Sequence, residues 1–567
     1  MRQRLSTLTS LSILILLFLP SSQTRSTHLF AMSGGEPDTM PQRIPHLTPM
    51  QWEDDLDSLA SGMKAQHGNL FHAMSEASFK TAVEFLRTNI PLMNDYQVLA
   101  GFVRLVGMVQ DGHNSLDLSF GKDLQYNYPL RLWVDGDTAY VARAPEQSAA
   151  LVGGRLISID GVPADSLWKS MLPLSPHDPG NLGYGARGLA RRYLLSAHLL
   201  YGLGVTKSLD SARFGVERNG KRQELTLHAE PVSVRSLYHG APSDWVEARN
   251  TNHEPPLWLR HPDSTYWMEY LPAQKFLYVQ MNEVGNAPGS TTADFARRIL
   301  DFVDNTPVDQ LALDLRRNGG GNNYLVRPLI VALIQLRKIN QRGKLFVLIG
   351  PETFSAAQNF TNRLENLTEA TFVGQPSGEN VNFYGDTRRF TLPNSHIPVA
   401  MANLYWQDKD PRDKRTATFP EIAVSPSFED YVDNRDPAMD LILAHPSGFP
   451  TIDESVLAGL TQGGFQGAFE AYQSFVADPV HRYYADAERQ INTLGYTLIA
   501  QGRIKEAIMV FQVNTNAFPL SWNTWDSLGE GFAAAGMNTR AVAAYKESLR
   551  LNPTSPTGLA ALAKLEK

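Results

Sequence analysis

Leu311-Ala-Leu-Asp-Leu-Arg-Arg-Asn318, followed by Gly319-Gly320-Gly321 and Asn322-Asn323, is the first half of the stretch that decides the fold. The second half is Leu345-Phe-Val-Leu-Ile349 with Thr353-Phe-Ser-Ala-Ala-Gln358. Each half reads as a buried strand ending in a turn that opens a helix. The first turn is glycine-rich, so its backbone N–H groups can approach a ligand oxygen closely. The second places Ser355 at a helix start, where unpaired N–H groups and the helix dipole favour an anion. A nucleophile beside a set of oxyanion donors is what acyl transfer requires.

Working outward, strands alternate with helices. Strands are expected at Phe276–Met281, Leu311–Leu315, Leu345–Ile349 and Ala370–Gly374, with helices at Thr292–Val303, Tyr324–Leu336 and Ser355–Leu367. This alternation argues for an α/β layer with mostly parallel pairing, in which ligands sit at the carboxyl ends of strands. Both turns lie at such ends.

Upstream, residues 50–109 have a helical pattern. Leu99, Phe102, Val103 and Val106 form one stripe, with Asp95 placed to cap it. The pattern stops at Gln110-Asp-Gly-His-Asn-Ser115, so His113 sits on a turn leaving a buried helix. Residues 126–231 read as β-rich with one helical insertion, and 187–201 is an amphipathic helix without an assignable role. Leu151-Val-Gly-Gly-Arg-Leu-Ile-Ser-Ile-Asp-Gly-Val-Pro163 resembles the segment of PDZ-like domains in which a strand leads to a turn and a short helix. Such a domain holds a peptide by adding it as a strand. Residues 232–262 show no clear period and read as a linker.

Beyond Pro450 the chain becomes Ala-rich and repeats itself. Leu494-Gly495, Gly502, Ala507, Phe511 and Pro519 recur as Leu528-Gly529, Gly536, Ala541, Tyr545 and Pro553, at a constant offset of 34. That is the tetratricopeptide period and residue order.

Composition limits the rest. The 567 residues carry a net charge of −7 and no basic run, which argues against nucleic-acid binding. With no cysteine there is no disulfide, thiolate metal site or cysteine nucleophile. The scattered histidines lack metal spacing, and neither metal nor cofactor is expected. Met1-Arg-Gln-Arg4, the apolar run Leu8–Leu19 and Pro20-Ser-Ser-Gln23 have the pattern of a secretory signal peptide. Export to a periplasm or the outside medium is therefore expected, with membrane contact only through an uncleaved signal.

With these motifs in place, the core resembles the tail-specific, or C-terminal-processing, serine peptidases, in their tricorn-like branch. The resemblance spans roughly residues 50–445 in order. It rests on Asp314-Leu-Arg-Arg-Asn-Gly-Gly-Gly321, Thr353-Phe-Ser-Ala-Ala357, Gly374-Gln-Pro-Ser-Gly378, Asn382-Phe-Tyr-Gly-Asp386, Phe419-Pro-Glu-Ile-Ala-Val424, Arg435-Asp-Pro437 and the Asp111-Gly-His113 turn. It implies a crotonase-like ββα core. One branch of the family uses a lysine about 25 residues after the serine, but no lysine lies between Lys344 and Lys409. The tricorn-like branch uses a histidine from the early turn and a distant carboxylate.

The implied site is Ser355 as nucleophile, His113 as general base and Asp413 as the acid that orients it, with Glu379 and Asp386 as alternatives. The N–H groups of Gly320 (or Gly319) and Ala356 would form the oxyanion hole. The expected architecture is multidomain α+β: a signal peptide (1–24), a disordered lead-in (25–47), a helical domain (48–125), a PDZ-like domain (126–231), a linker (232–262), the peptidase core (263–450) and tetratricopeptide-like repeats (455–567). The expected function is exported endopeptidase action on unstructured or C-terminal protein segments, with the repeats recruiting a protein partner. The alternative is a non-catalytic peptide-binding scaffold that keeps the fold.

Overall fold

A computed structural model describes residues 44–120, 124–239 and 242–565 of the chain. The expected signal peptide, and the lead-in up to residue 43, lie outside the described residues. The protein is mixed α/β and divides into two compact units. The first holds the residues up to Ala370 with Gly374–Phe419 and Ser425–Leu443; the second holds Thr371–Val373, Pro420–Val424 and Ala444–Lys567.

In the first unit, the strands Tyr266–Leu271, Phe276–Met281, Gln310–Asp314 and Leu345–Ile349 lie side by side in that order. The last three pair in parallel, Leu277 opposite Leu311 and Leu311 opposite Leu345. Every residue of these three strands is buried, as parallel strands covered on both faces require. Tyr266–Leu271 is an antiparallel edge that the mostly parallel reading did not include. Helices Thr292–Asn305, Arg327–Gln335 and Ala356–Leu367 follow their strands. The middle one begins later than expected, after the 3-10 turn Asn323–Leu325. Pro328 sits in its first turn, where a missing N–H costs nothing.

The N-terminal helices Pro49–Gln66, Glu76–Asn89 and Asp95–Gly107 pack as one helical layer. Helix Asp95–Gly107 is apolar on most of its circumference and correspondingly buried. Its N-cap is Asn94 rather than Asp95, whose carboxylate accepts the Trp52 indole N–H at 2.8 Å. The following β-rich region forms a sheet in which Ser211–Arg218 pairs antiparallel with both Arg155–Ile159 and Lys221–His228. The segment expected to be only a linker contributes to this sheet: Val246–Glu247 pairs with Thr138–Ala144, and Ala248 N–H donates to Ala142 O at 2.8 Å.

A long hairpin, Asn382–Thr391 with Pro398–Gln407, takes in Ser115–Leu116 as a third antiparallel strand. This pairing carries the His113 turn to the core. Asn114 Oδ1 accepts the Ala402 N–H at 2.9 Å, and Asp117 N–H donates to Pro398 O at 2.9 Å.

The second unit contains the helix pairs Ala487–Ala500 with Ile504–Ala517 and Trp522–Ala534 with Asn538–Leu551. The 34-residue pattern has a packing reason. A Cβ on Gly495 would come within 2.3 Å of the Phe511 ring, and one on Gly529 within 2.8 Å of the Tyr545 ring. Each aromatic therefore lies flat on the glycine of its partner helix. Gly502 and Gly536 have φ of 75° and 72°, the left-handed turn that ends the first helix of each pair.

Candidate active site

Ser355 sits where strand Leu345–Ile349 gives way to helix Ala356–Leu367, and its backbone is at φ 57°, ψ −126°. This is a strained conformation for a residue with a Cβ, and it projects the side chain from a sharp strand-to-helix corner. The corner is held by its neighbours. Thr353 Oγ1 donates to Leu315 O at 2.9 Å, and Phe354 N–H donates to Asn318 O at 3.1 Å. Gly320, at φ 108°, lies against the corner: a Cβ there would be 2.6 Å from Ser355 Cβ. Only glycine permits this approach.

The turn before it is fixed by charge. Arg316 clasps Asp314 and Asp436, with Nη2 to Asp314 Oδ2 at 2.6 Å and to Asp436 Oδ2 at 2.7 Å. Tyr278 Oη donates to Asp314 Oδ2 at 2.7 Å. The Asp-Leu-Arg-Arg and Arg-Asp-Pro motifs thus meet in one buried ion cluster below the glycine turn.

His113 Nε2 lies 2.9 Å from Ser355 Oγ, although the two are 242 residues apart in sequence. Its Nδ1 lies 2.9 Å from Glu379 Oε1. A neutral imidazole protonated at Nδ1, the side that Glu379 faces, leaves the Nε2 lone pair for the Ser355 hydroxyl. The ring is fixed on both faces, with Phe354 at 4.7 Å and Phe383 at 5.6 Å between centroids. Gly112 makes room for the first of these, since a Cβ would be 2.9 Å from the Phe354 ring.

Glu379 Oε2 accepts the backbone N–H of Ser355 at 2.5 Å. One carboxylate therefore orients the histidine and holds the strained peptide of the serine. Two further buried acids stand behind it. Asp111 Oδ1 accepts the His113 N–H at 3.0 Å, and its Oδ2 lies 3.1 Å from His67 Nε2. Since Asn69 N–H donates to His67 Nδ1 at 2.9 Å, the His67 Nε2 carries the proton that Asp111 receives. Asp178 accepts the Gly112 N–H at 3.1 Å and the Asn380 N–H at 2.9 Å.

His113, Asp111, Asp178 and Glu379 are all at most 4% exposed, whereas Ser355 is half-buried and within reach of a substrate. Burial works against a charged His113 ring, but Glu379 first, then Asp111 and Asp178, outweigh it and push its pKa up to about 9. Burial pushes the Glu379 carboxyl upward, against the pull of His113 and the Ser355 N–H.

Asp413 is not at this site. Its carboxylate pairs with Arg415, Oδ2 to Nη2 at 2.8 Å, and Arg415 also binds Glu365. The charged run around it is a network of ion pairs, and the carboxylate on His113 is Glu379. Of the expected oxyanion donors, the Gly320 N–H already donates to Asn318 Oδ1 at 3.0 Å. The N–H groups of Gly319 and Ala356 have no acceptor among the described residues. Glu379, one of the two alternatives named from the sequence, is the lone charge in Gly374-Gln-Pro-Ser-Gly-Glu-Asn-Val381, a signal that could have put it first. It is 24 residues after the serine, at the spacing where the other branch of the resembling family carries its lysine. Asp111 belongs to the Asp111-Gly-His113 turn already quoted, but without a role there, and Asp178 carries no sequence signal. Among the described residues no cluster of metal-ligating side chains occurs, and no helix is long and apolar enough to cross a membrane.

No family model and no curated protein matches the sequence. Among solved structures, mature CPAF complexed with lactacystin shares the fold, with a TM-score of 0.50 and 12% identity over 70% of this chain and 98% of that one. Weaker likenesses are to the photosystem II D1 C-terminal processing protease (TM-score 0.31, 13% identity, 66% of this chain and 93% of that one) and to the tricorn protease (TM-score 0.33, 16% identity, 70% and 36%).

Proposed function

We propose that the chain is a serine peptidase of the tail-specific type, with Ser355, His113 and Glu379 as its catalytic triad. The observation that carries this reading is the 2.9 Å contact between His113 Nε2 and Ser355 Oγ. Elements so far apart in sequence need a reason to converge, and the strained serine corner gives the contact a chemical direction. Ser355 Oγ attacks the carbonyl carbon of a peptide bond while its proton passes to His113 Nε2. The imidazolium is stabilised by Glu379, and the oxyanion is received by the N–H groups of Ala356 and Gly319. His113 then gives the proton to the departing amine as the C–N bond breaks. Water then gives a proton to His113 Nε2 and attacks the acyl ester, and as the C–O bond to Ser355 breaks His113 passes that proton to Ser355 Oγ, releasing the acid and restoring the hydroxyl.

In this reading residues 126–231 hold an extended peptide as a PDZ-like domain, and the 34-residue helix pairs are tetratricopeptide-like repeats that recruit a protein partner. Export rests on the pattern of residues 1–23. A fluorophosphonate probe tests the chemistry. Labelling of the wild type that is absent from Ser355→Ala supports it, and equal labelling of both overturns it.

A further inference from the structure

We propose that Asp178 is a positioning residue for the Ser355 site, its carboxylate tying the turn that carries His113 to the turn that carries Glu379. The inference rests on the peptidase reading above. Its basis is geometric: Asp178 Oδ1 accepts from Gly112 N–H, the residue before His113, and Oδ2 accepts from Asn380 N–H, the residue after Glu379. These donors lie 66 and 202 residues from Asp178, and both carboxylate oxygens are committed outside its own segment.

The segment is built to deliver this side chain. Gly180 turns at φ 79°, and Asn181 closes the next turn by accepting the Gly185 N–H at 3.0 Å on its side chain. Asn380 Nδ2 reaches back to Pro179 O at 3.2 Å. Gly185 lies so close to the Glu379 turn that a Cβ would be 2.4 Å from Gly378 O. Farther along, Arg191 Nη2 donates to Glu352 Oε1 at 2.5 Å, three residues before the nucleophile. Residues 177–191, the last five of which begin the 187–201 stretch that has no assignable role in the sequence, thus form a strap across both halves of the proton relay.

A carboxylate buried beside Glu379 and Asp111 is in an unfavourable place: burial first, then Glu379 and Asp111, push the Asp178 carboxyl upward. Two backbone N–H donors offset part of that. The groups facing the relay are Asp111, Asp178, Glu379 and His113, with His67 behind Asp111 and Tyr405 within electrostatic reach of Asp178.

The test compares wild type, Asp178→Asn and Gly185→Ala on a chromogenic peptide, with amide exchange of the 110–114 and 377–381 segments followed by mass spectrometry. In Asp178→Asn an NH2 group replaces one acceptor oxygen and faces an N–H. Expected are a kcat lower by about 10- to 100-fold, as for a small misplacement of reacting groups, and a KM within about twofold. Faster exchange at Gly112 and Asn380 is also expected, with a shift of the rate profile to lower pH, because a charge holding the imidazolium is gone. Gly185→Ala, outside the acid cluster, is expected to act in the same direction by lifting the strap, and it decides the matter if Asp178→Asn does not fold. Unchanged kcat, pH profile and exchange in a folded variant overturn the proposal. If the wild type hydrolyses nothing, the peptidase reading fails, and amide exchange alone decides the clamp.

Discussion

Glu379 touches both working residues, through His113 Nδ1 and through the Ser355 N–H, so its removal is felt twice. Glu379→Gln keeps the shape but can offer an amide N–H where the imidazole needs an acceptor. By the precedent of an acid-to-amide change in such a triad, kcat is expected to fall by about 10³- to 10⁴-fold. Asp413→Asn, which disturbs only a partly exposed ion pair, is expected to leave kcat within about twofold; steady-state kinetics on both variants separates the two assignments. The pH dependence follows from the raised His113 pKa. The ring must be neutral to accept the Ser355 proton, and a pKa of about 9 leaves it mostly charged at neutral pH. Thus kcat/KM is expected to climb from pH 7 to about 9, and in Glu379→Gln the climb is expected to move to lower pH. A rate that levels off below pH 7 in the wild type contradicts this.

At the scale of elements, the corner at Ser355 depends on Gly320. Gly320→Ala places a methyl against Ser355 Cβ and forces a φ of 108° on a residue with a side chain. Activity is expected to drop by at least about 100-fold through a displaced oxyanion site. Stability is expected to fall by only about 1–3 kcal/mol, read by urea unfolding. The strands and helices that carry this corner were legible because a short run that is wholly apolar, as at Leu345–Ile349, or apolar but for one acid, as at Leu311–Leu315, and that ends at a glycine or serine turn has few other readings. The hairpin Asn382–Thr391 with Pro398–Gln407 was not legible as strands. Its second strand runs Pro-Val-Ala-Met-Ala-Asn-Leu-Tyr-Trp-Gln, buried for half its length and then exposed, so neither alternation nor a continuous apolar run marks it. A spacing argument put Asp413 ahead of Glu379, which the sequence offered as an alternative; burial reverses that order, since Glu379 is fully buried beside His113 while Asp413 is bound to Arg415. Asp178 lay in an irregular stretch whose only regularity is the pair of N–H groups it receives, and those belong to distant turns.

Across the whole molecule, every residue of the proposed triad and the acids beside it belongs to the first unit, whereas the 34-residue helix pairs belong to the second. The repeat was readable in sequence because each glycine must face an aromatic ring, a constraint on identity that periodicity alone does not impose. Phe511→Ala would leave a cavity over Gly495 and is expected to weaken the helices 487–551 by about 3–5 kcal/mol. Amide exchange in those helices should then quicken while the labelling rate of Ser355 stays the same. Equal loss of both would contradict the assignment of the two roles to separate units. The central claim, that His113 activates Ser355 for acyl chemistry, is tested most directly by fluorophosphonate labelling of the full chain followed by peptide mass spectrometry. One adduct on Ser355 is predicted, absent from Ser355→Ala and at least about 100-fold slower to form in His113→Ala. An adduct on another residue, no adduct, or undiminished labelling of His113→Ala would contradict the account.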